Sequence, residues 1–409
     1  MIHDLEQPST WIALLALIAA IVAAALAYPP FHQARKEGEI TEFRETRRRL
    51  VADRGPLVKA AASLYPTASF IPRSIYLTRP EWTMDRPVPL DRVFVRYHKQ
   101  PRATPIDSHS KAIQRLLPRA SLKNGLSTYS QVVGADPAIK PGLFWNGPSY
   151  DLRGMRYSDG HATVELGPTH YFNMFDVCEA LAHEFAAGRH RGRRSLRREI
   201  TDPTDLALRV VVPALAWLMV LKENDGSKTF LLHARDGAAV ASDGELLQVF
   251  GGQLQPSSRH ALDTTSEVTL WHSFVREFAE ELLGVPEASG QSGGAISYSS
   301  PPFDRLKDLS DTGRLRVCLM GLGFDPLSNW PTFLCMAVID RSLFGDTLPE
   351  ITNSNEEGVV IGTRREDGKL HGFAFSEEVV EDLCANPSVG AATVACLRLA
   401  WKHREFLDD

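Results

Sequence analysis

Residues 276–284 read Arg276-Glu277-Phe278-Ala279-Glu280-Glu281-Leu282-Leu283-Gly284, and they follow the apolar Val268, Leu270, Trp271, Phe274 and Val275. With Phe278, Leu282 and Leu283, these apolar positions recur at spacings of three and four, which predicts an amphipathic helix with one packed face. Glu277, Glu280 and Glu281 then share one turn, where three carboxylates repel one another unless something compensates them. A divalent cation is the natural compensator, because hard oxygen ligands suit magnesium or manganese and those ions also grip phosphate oxygens. The plain alternative is an acidic helix face solvated by water. Arg276, beside the cluster, is placed to orient one carboxylate through a forked hydrogen bond.

Upstream, Leu246 to Phe250 leads into Gly251-Gly252-Gln253-Leu254-Gln255-Pro256. The two glycines permit close backbone approach to a ligand, with Gln253 and Gln255 beside them as polar contacts. The mostly polar stretch Ser257 to Ser266 separates this loop from the acidic helix. Further on, Asn355-Glu356-Glu357-Gly358 supplies more acids, explained equally by a turn or by a general base, Glu356 or Glu357.

The run Arg-Glu-x-x-Glu-Glu followed by Leu-Leu-Gly resembles the second half of the Nudix box. The Gly-x5-Glu-x7 lead of that family is out of register here. Gly251 and Gly252 lie further upstream, Glu267 is one position out of step, and the closing glycine comes one residue late. Val249-Phe250-Gly251-Gly252, Leu270-Trp271 and Gly323-Phe324-Asp325-Pro326-Leu327 add to a likeness with a divergent bacterial Nudix-like group. The resemblance implies an α/β fold, an α/β/α sandwich with a mixed sheet, and metal-dependent attack on a nucleoside-diphosphate-type bond. It further implies catalytic roles for Arg276, Glu277 and Glu281, magnesium or manganese held by Glu277, Glu280 and Glu281, and a ligand held by Gly251, Gly252, Gln253 and Gln255.

At 409 residues, with 44% hydrophobic and 23% charged, the chain is long enough for more than one globular unit. A net charge of -5 argues against wholesale nucleic-acid binding. Five scattered cysteines, without a Cys-x-x-Cys pair, suit a reducing compartment and offer no zinc site.

Trp11 to Tyr28 is an unbroken apolar run. As a helix it would span about 27 Å, which predicts a single transmembrane anchor. Asp4 and Glu6 precede it, whereas Arg35, Lys36, Arg44, Arg47, Arg48 and Arg49 follow. The positive-inside rule then places the N-terminus outside an inner membrane and the body in the cytoplasm. A cleaved signal peptide is the competing reading, disfavoured by the acidic start. The alanines of this run permit close helix approach, hence a homo-oligomer, though alanine also simply favours helix.

The expected organisation is an anchor (1–30), a charged helical stalk (31–66), an irregular proline-rich connection (67–149) and a Nudix-like domain with an N-terminal extension and C-terminal helices (150–409). Within the last, His161 to Leu166 alternates like a strand and Phe172 to Ala186 is helical in spacing. His183-Glu184 opens like a zinc-protease motif, but position 187 is Ala, so that reading is discarded. Arg189, Arg191, Arg193, Arg194, Arg197 and Arg198 form a local positive field for phosphate, on a nucleotide or at a membrane, or else a solvated linker. The Gly- and Ser-rich Val285 to Ser300 is a candidate lid.

An anchor joined to a Nudix-like domain is similar to the transmembrane-Nudix effectors of bacterial cyclic-oligonucleotide anti-phage systems, a likeness of architecture that does not establish function. Two functions follow from it: a membrane-tethered sensor-effector that binds a nucleotide-type ligand, and a magnesium-dependent hydrolase of a nucleoside diphosphate derivative. An inert scaffold for protein contacts is the third reading.

Overall fold

From Ala214 to Lys222 nearly every residue is buried, and successive side chains enter two different cores. Leu215, Trp217, Met219 and Leu221 face one; Ala216, Leu218 and Val220 face the other. A strand with period-two alternation and no polar face must lie inside a sheet covered on both sides. The computed structural model describes residues 37–139, 144–235, 246–256, 268–285, 296–352, 354–355, 358–364 and 370–407.

In chain order, helices α1 (residues 37–52) and α2 (Arg54–Ala62) precede strands β1 (Thr83–Pro89) and β2 (Val93–Tyr97). Three short helices follow, α3 (Lys111–Gln114), α4 (Arg119–Lys123) and α5 (Tyr129–Gly134). A hairpin of β3 (Pro148–Ser158) and β4 (His161–His170) leads into α6 (Tyr171–Ala186) and short α7 (Leu196–Glu199). Next come β5 (Ala214–Lys222), β6 (Lys228–Arg235), β7 (Leu246–Gln248) and β8 (Phe250–Gln253). Helices α8 (Leu270–Leu283) and α9 (Phe303–Asp311) are followed by β9 (Leu315–Phe324) and β10 (Pro331–Asp340). Five short strands, β11 (Ser354–Asn355), β12 (Gly358–Ile361), β13 (Thr363–Arg364), β14 (Leu370–His371) and β15 (Phe373–Ala374), precede α10 (Glu377–Ala385) and α11 (Ala391–Lys402).

The main sheet runs β1-β9-β10-β5-β6-β12-β11, with β7 and β15 also on β6 and β8 on β5. It is mixed, since β10 pairs β5 in parallel and its other pairings are antiparallel. Helix α8 packs on one face through Leu270, Phe274, Val275, Phe278 and Leu282. On the other face lie α10 and α11, through Val380, Cys396, Leu397 and Leu399. A second, three-stranded sheet has the order β2-β4-β3, and Leu152, Met155, Val164 and Leu166 join the core on the α8 side. The fold is therefore mixed α/β.

Two regions differ from the sequence expectation. The proline-rich stretch supplies β1 as an edge strand of the main sheet, while Val93 to Val95, strand-like in sequence, lie in β2 of the smaller one. The charged helix expected to stand as a stalk lies instead against α6. Phe43 stacks on His183 with ring centroids 4.6 Å apart. Arg47 and Arg54 both reach Glu179, at 3.1 and 3.4 Å. Leu50, Leu57, Val58 and Ala61 pack with Ala182, Ala186 and Leu327. Charge density on the exposed side masked an apolar stripe that needed cover. The run 11–28 lies outside the described residues, and among those described no helix is long and apolar enough to cross a membrane.

Trp217 stacks on Phe250 and Phe278 and meets Phe274 edge-on, which joins β5, β8 and α8. Trp217→Ala is expected to destabilise the protein by about 3–5 kcal/mol, the range for deleting a buried aromatic, read from the urea midpoint by far-UV circular dichroism.

Acid should act through His183. Its Nδ1 sits 3.2 Å from the Tyr129 hydroxyl, which accepts from Arg47 and so donates its own proton to a neutral imidazole. Burial, reinforced by the cations of Arg47 and Arg189, pulls His183 down to about 3. The unfolded histidine protonates near its ordinary value, about 6.5, so between there and pH 3 the unfolded chain binds the extra proton and stability falls as pH falls. His403, pulled down to about 4 chiefly by burial, acts in the same direction. A plot of unfolding free energy against pH should slope less steeply across that window in His183→Asn than in the parent, and equal slopes would refute the assignment.

Candidate functional site

Two short elements build the site. Strand β8 ends in Gly251-Gly252-Gln253, and α8 carries the acids beneath it. The helix starts where the Thr269 side chain accepts from the His272 N–H, and it stops at Gly284 in the left-handed conformation. This accounts for the glycine that sits one position late in the sequence pattern. It is the cap of the helix.

Gly251 has φ +141°, and a Cβ there would lie 1.9 Å from the Leu215 carbonyl oxygen. A Cβ on Gly252 would lie 2.3 Å from Glu277 Oε1. Gly251 is therefore demanded by its backbone conformation and its contact with β5, whereas at Gly252 a side chain would have to displace the Glu277 carboxylate.

The acids divide their work. Glu281 is buried at 2% exposure, and its Oε2 accepts from the Gly251 N–H at 2.8 Å. Its Oε1 lies 3.7 Å from His233 Nδ1. Glu277 lies over Gly252, and both Glu277 and Glu280 line a cavity of about 1200 Å³. The guanidinium of Arg276, also on that wall, donates to the Gln255 carbonyl at 2.7 Å and lies within 3.4 Å of the His272 carbonyl and Ser273 Oγ. Sequence reading placed its fork on a carboxylate. The structure places it on main-chain oxygen, since the Gln255 carbonyl just beyond β8 needs a donor. The Gln253 amide donates to Ser149 Oγ at 2.8 Å, linking the loop to β3.

Gly251, Gly252, Gln253, Gln255, Arg276, Glu277 and Glu280 thus share one cavity, whereas Glu281 sits behind them. Glu356 and Glu357, and most of the candidate lid, lie outside the described residues. Among the described residues no three His, Cys, Asp or Glu side chains converge as a metal-holding group. Neither the known protein-family models nor the curated protein sequences give a match to this chain.

Sequence reading missed the facing wall. It is made by Arg54 and Lys59 of α2, Arg73, and the segment from Asn386 into the first turn of α11. The signal was present as Arg54-Gly55-Pro56, but inside a stretch read as a stalk. The Phe324-Asp325-Pro326-Leu327 segment closes the β9–β10 turn, with Asp325 accepting from the Leu327 and Ser328 N–H groups at 3.0 and 2.7 Å.

The Glu281 contact yields a graded test. Glu281→Ala leaves the Gly251 N–H without its acceptor and should cost about 1–3 kcal/mol of stability. Glu281→Gln keeps an oxygen there and should cost less. Thermal unfolding of both variants in parallel gives the order, and a reversal would refute the clamp.

Proposed function

We propose that this chain binds a nucleotide-type ligand in the cavity beside the Gly251-Gly252 segment of β8 and the acidic face of α8, on a Nudix-like scaffold tethered to a membrane. One observation carries the reading: the β8 glycines, Arg276, Glu277 and Glu280, singled out by sequence pattern, stand on one wall of a cavity of about 1200 Å³. A mixed sheet with helices on both faces is the architecture a Nudix-like domain requires. The cavity size suits a ligand with bases as well as phosphates. The tether rests on the run 11–28, and self-association through its alanines would make ligand binding a trigger for assembly in anti-phage signalling.

Binding without turnover is the favoured form. Glu281, which the resemblance makes catalytic and metal-binding, is buried and holds the loop amide. The second reading, a hydrolase, is favoured by Glu277 and Glu280 on the cavity wall, because magnesium needs only one or two carboxylates when substrate phosphates complete its shell. Those two residues would hold magnesium or manganese, and the ion, when bound, would polarise a diphosphate. For either reading, Gly252 lets the Glu277 carboxylate lie close over the strand at the cavity.

The test uses the full chain in detergent, titrated calorimetrically with nucleoside diphosphates, dinucleotides and cyclic oligonucleotides in the presence of magnesium, with products separated by chromatography. Saturable binding of one class without product, weakened at least tenfold in Gly252→Ala, is the expected result. Product formation that disappears in Glu280→Gln would move the protein to the hydrolase reading. Absence of saturable binding across the panel would refute both.

A further inference from the structure

The arginine-rich turn between α6 and α7 is not part of the cavity just described. Arg197 is folded inward, donating to the Pro326 carbonyl at 3.0 Å. Arg189, Arg191, Arg193 and Arg194 remain exposed. They do not stand alone. The Arg194 carbonyl accepts from Arg115 at 2.8 Å, which brings the exposed cations Lys111, Arg115 and Arg119 of α3 and α4 against the same turn. Lys111, Arg115, Arg119 and Arg189 line a separate depression of about 640 Å³. The acids facing it are Glu39 and Glu42 of α1. Glu42 pairs with Arg189 at 2.6 Å, and Glu39 accepts from the Arg119 N–H at 2.9 Å. Cations outnumber carboxylates in a chain whose overall charge is -5.

The position of this patch indicates its partner. Glu39 and Glu42 come shortly after Glu37, the first described residue, so the preceding chain joins the body beside this depression. A field of cations beside the point where the preceding chain joins the body faces the headgroup layer if the apolar run spans a bilayer, and anionic lipid attracts such a field within a Debye length.

We propose that the surface formed by the 189–194 turn with Lys111, Arg115 and Arg119 docks on anionic phospholipid headgroups and sets how the body sits against the membrane. This rests on the reading of residues 11–28 as an anchor. Nucleic acid is the competing polyanion. The overall negative charge disfavours it.

The experiment reconstitutes the full chain into nanodiscs of phosphatidylcholine alone, or of phosphatidylcholine mixed equally with phosphatidylglycerol, and follows amide hydrogen exchange over residues 189–195. Exchange should slow several-fold in the anionic discs, with the effect removed by raised salt and in the combined variant Arg191→Glu, Arg193→Glu, Arg194→Glu. These three residues are exposed, and unchanged exchange in β5 and β10 would show that the variant is folded. Equal exchange in both lipids would overturn the proposal. So would slowing caused by a single-stranded RNA oligonucleotide in neutral discs without any response to anionic lipid. An alkaline wash of proteoliposomes separates the two layers of argument: a chain that washes off contradicts the anchor itself, whereas a chain that stays but ignores lipid charge contradicts only the patch.

Discussion

A carboxylate held under the glycines of β8 is the constraint on which the site depends. Gly251 can adopt its backbone conformation only without a side chain, and that conformation points its N–H at Glu281. The hydrogen bond ties the end of β8 to α8 at a depth where an unmatched charge would be costly, so the two elements keep their relative height. Arg276 repeats the link from the other side through the Gln255 carbonyl. Held at both ends, the segment exposes Gly252 and Gln253 to the cavity, with Glu277 alongside. The sequence pattern therefore marks a joint as much as a set of ligands.

The same economy of contact ties the N-terminal region to the rest. Glu179 lies between Arg47 and Arg54, and Arg197 reaches from α7 to the carbonyls of Pro326 and Leu327. Asp151, fully buried, is matched by Arg102 at 2.7 Å and by Arg153 at 3.2 Å. Buried acids matched in this way are costly to break singly, because each leaves its partner's charge without compensation. The result is a helical layer that cannot be removed from the β-sheet body without exposing several such groups.

Much of the arrangement could be read from the chain. The apolar spacing of α8, the Asn224-Asp225-Gly226 hairpin between β5 and β6, and the buried strands β9 and β10 follow from local periodicity, which registers a residue's own neighbours. Convergence of the glycine segment on the acid helix was legible because both halves carry unusual residue types. Long-range relations were not. Nothing local tells Thr83 to Pro89 that it pairs with β9, and nothing in the charge pattern of residues 37–62 reveals that Phe43 and Leu50 have partners on α6 and nearby. The fate of each glutamate is likewise a matter of depth. Glu280 and Glu281 are adjacent, yet one meets a cavity and the other a backbone amide.

Helix α2 begins one residue after α1 ends, with Asp53 as the break between them. The first turn of α2 supplies Arg54, Gly55 and Pro56 to the cavity wall, while α1 leads towards the apolar N-terminal run. Val51 and Ala52 close α1 on the same wall, so the junction between the two helices is itself part of the cavity, and its shape is set by how firmly both are held against α6.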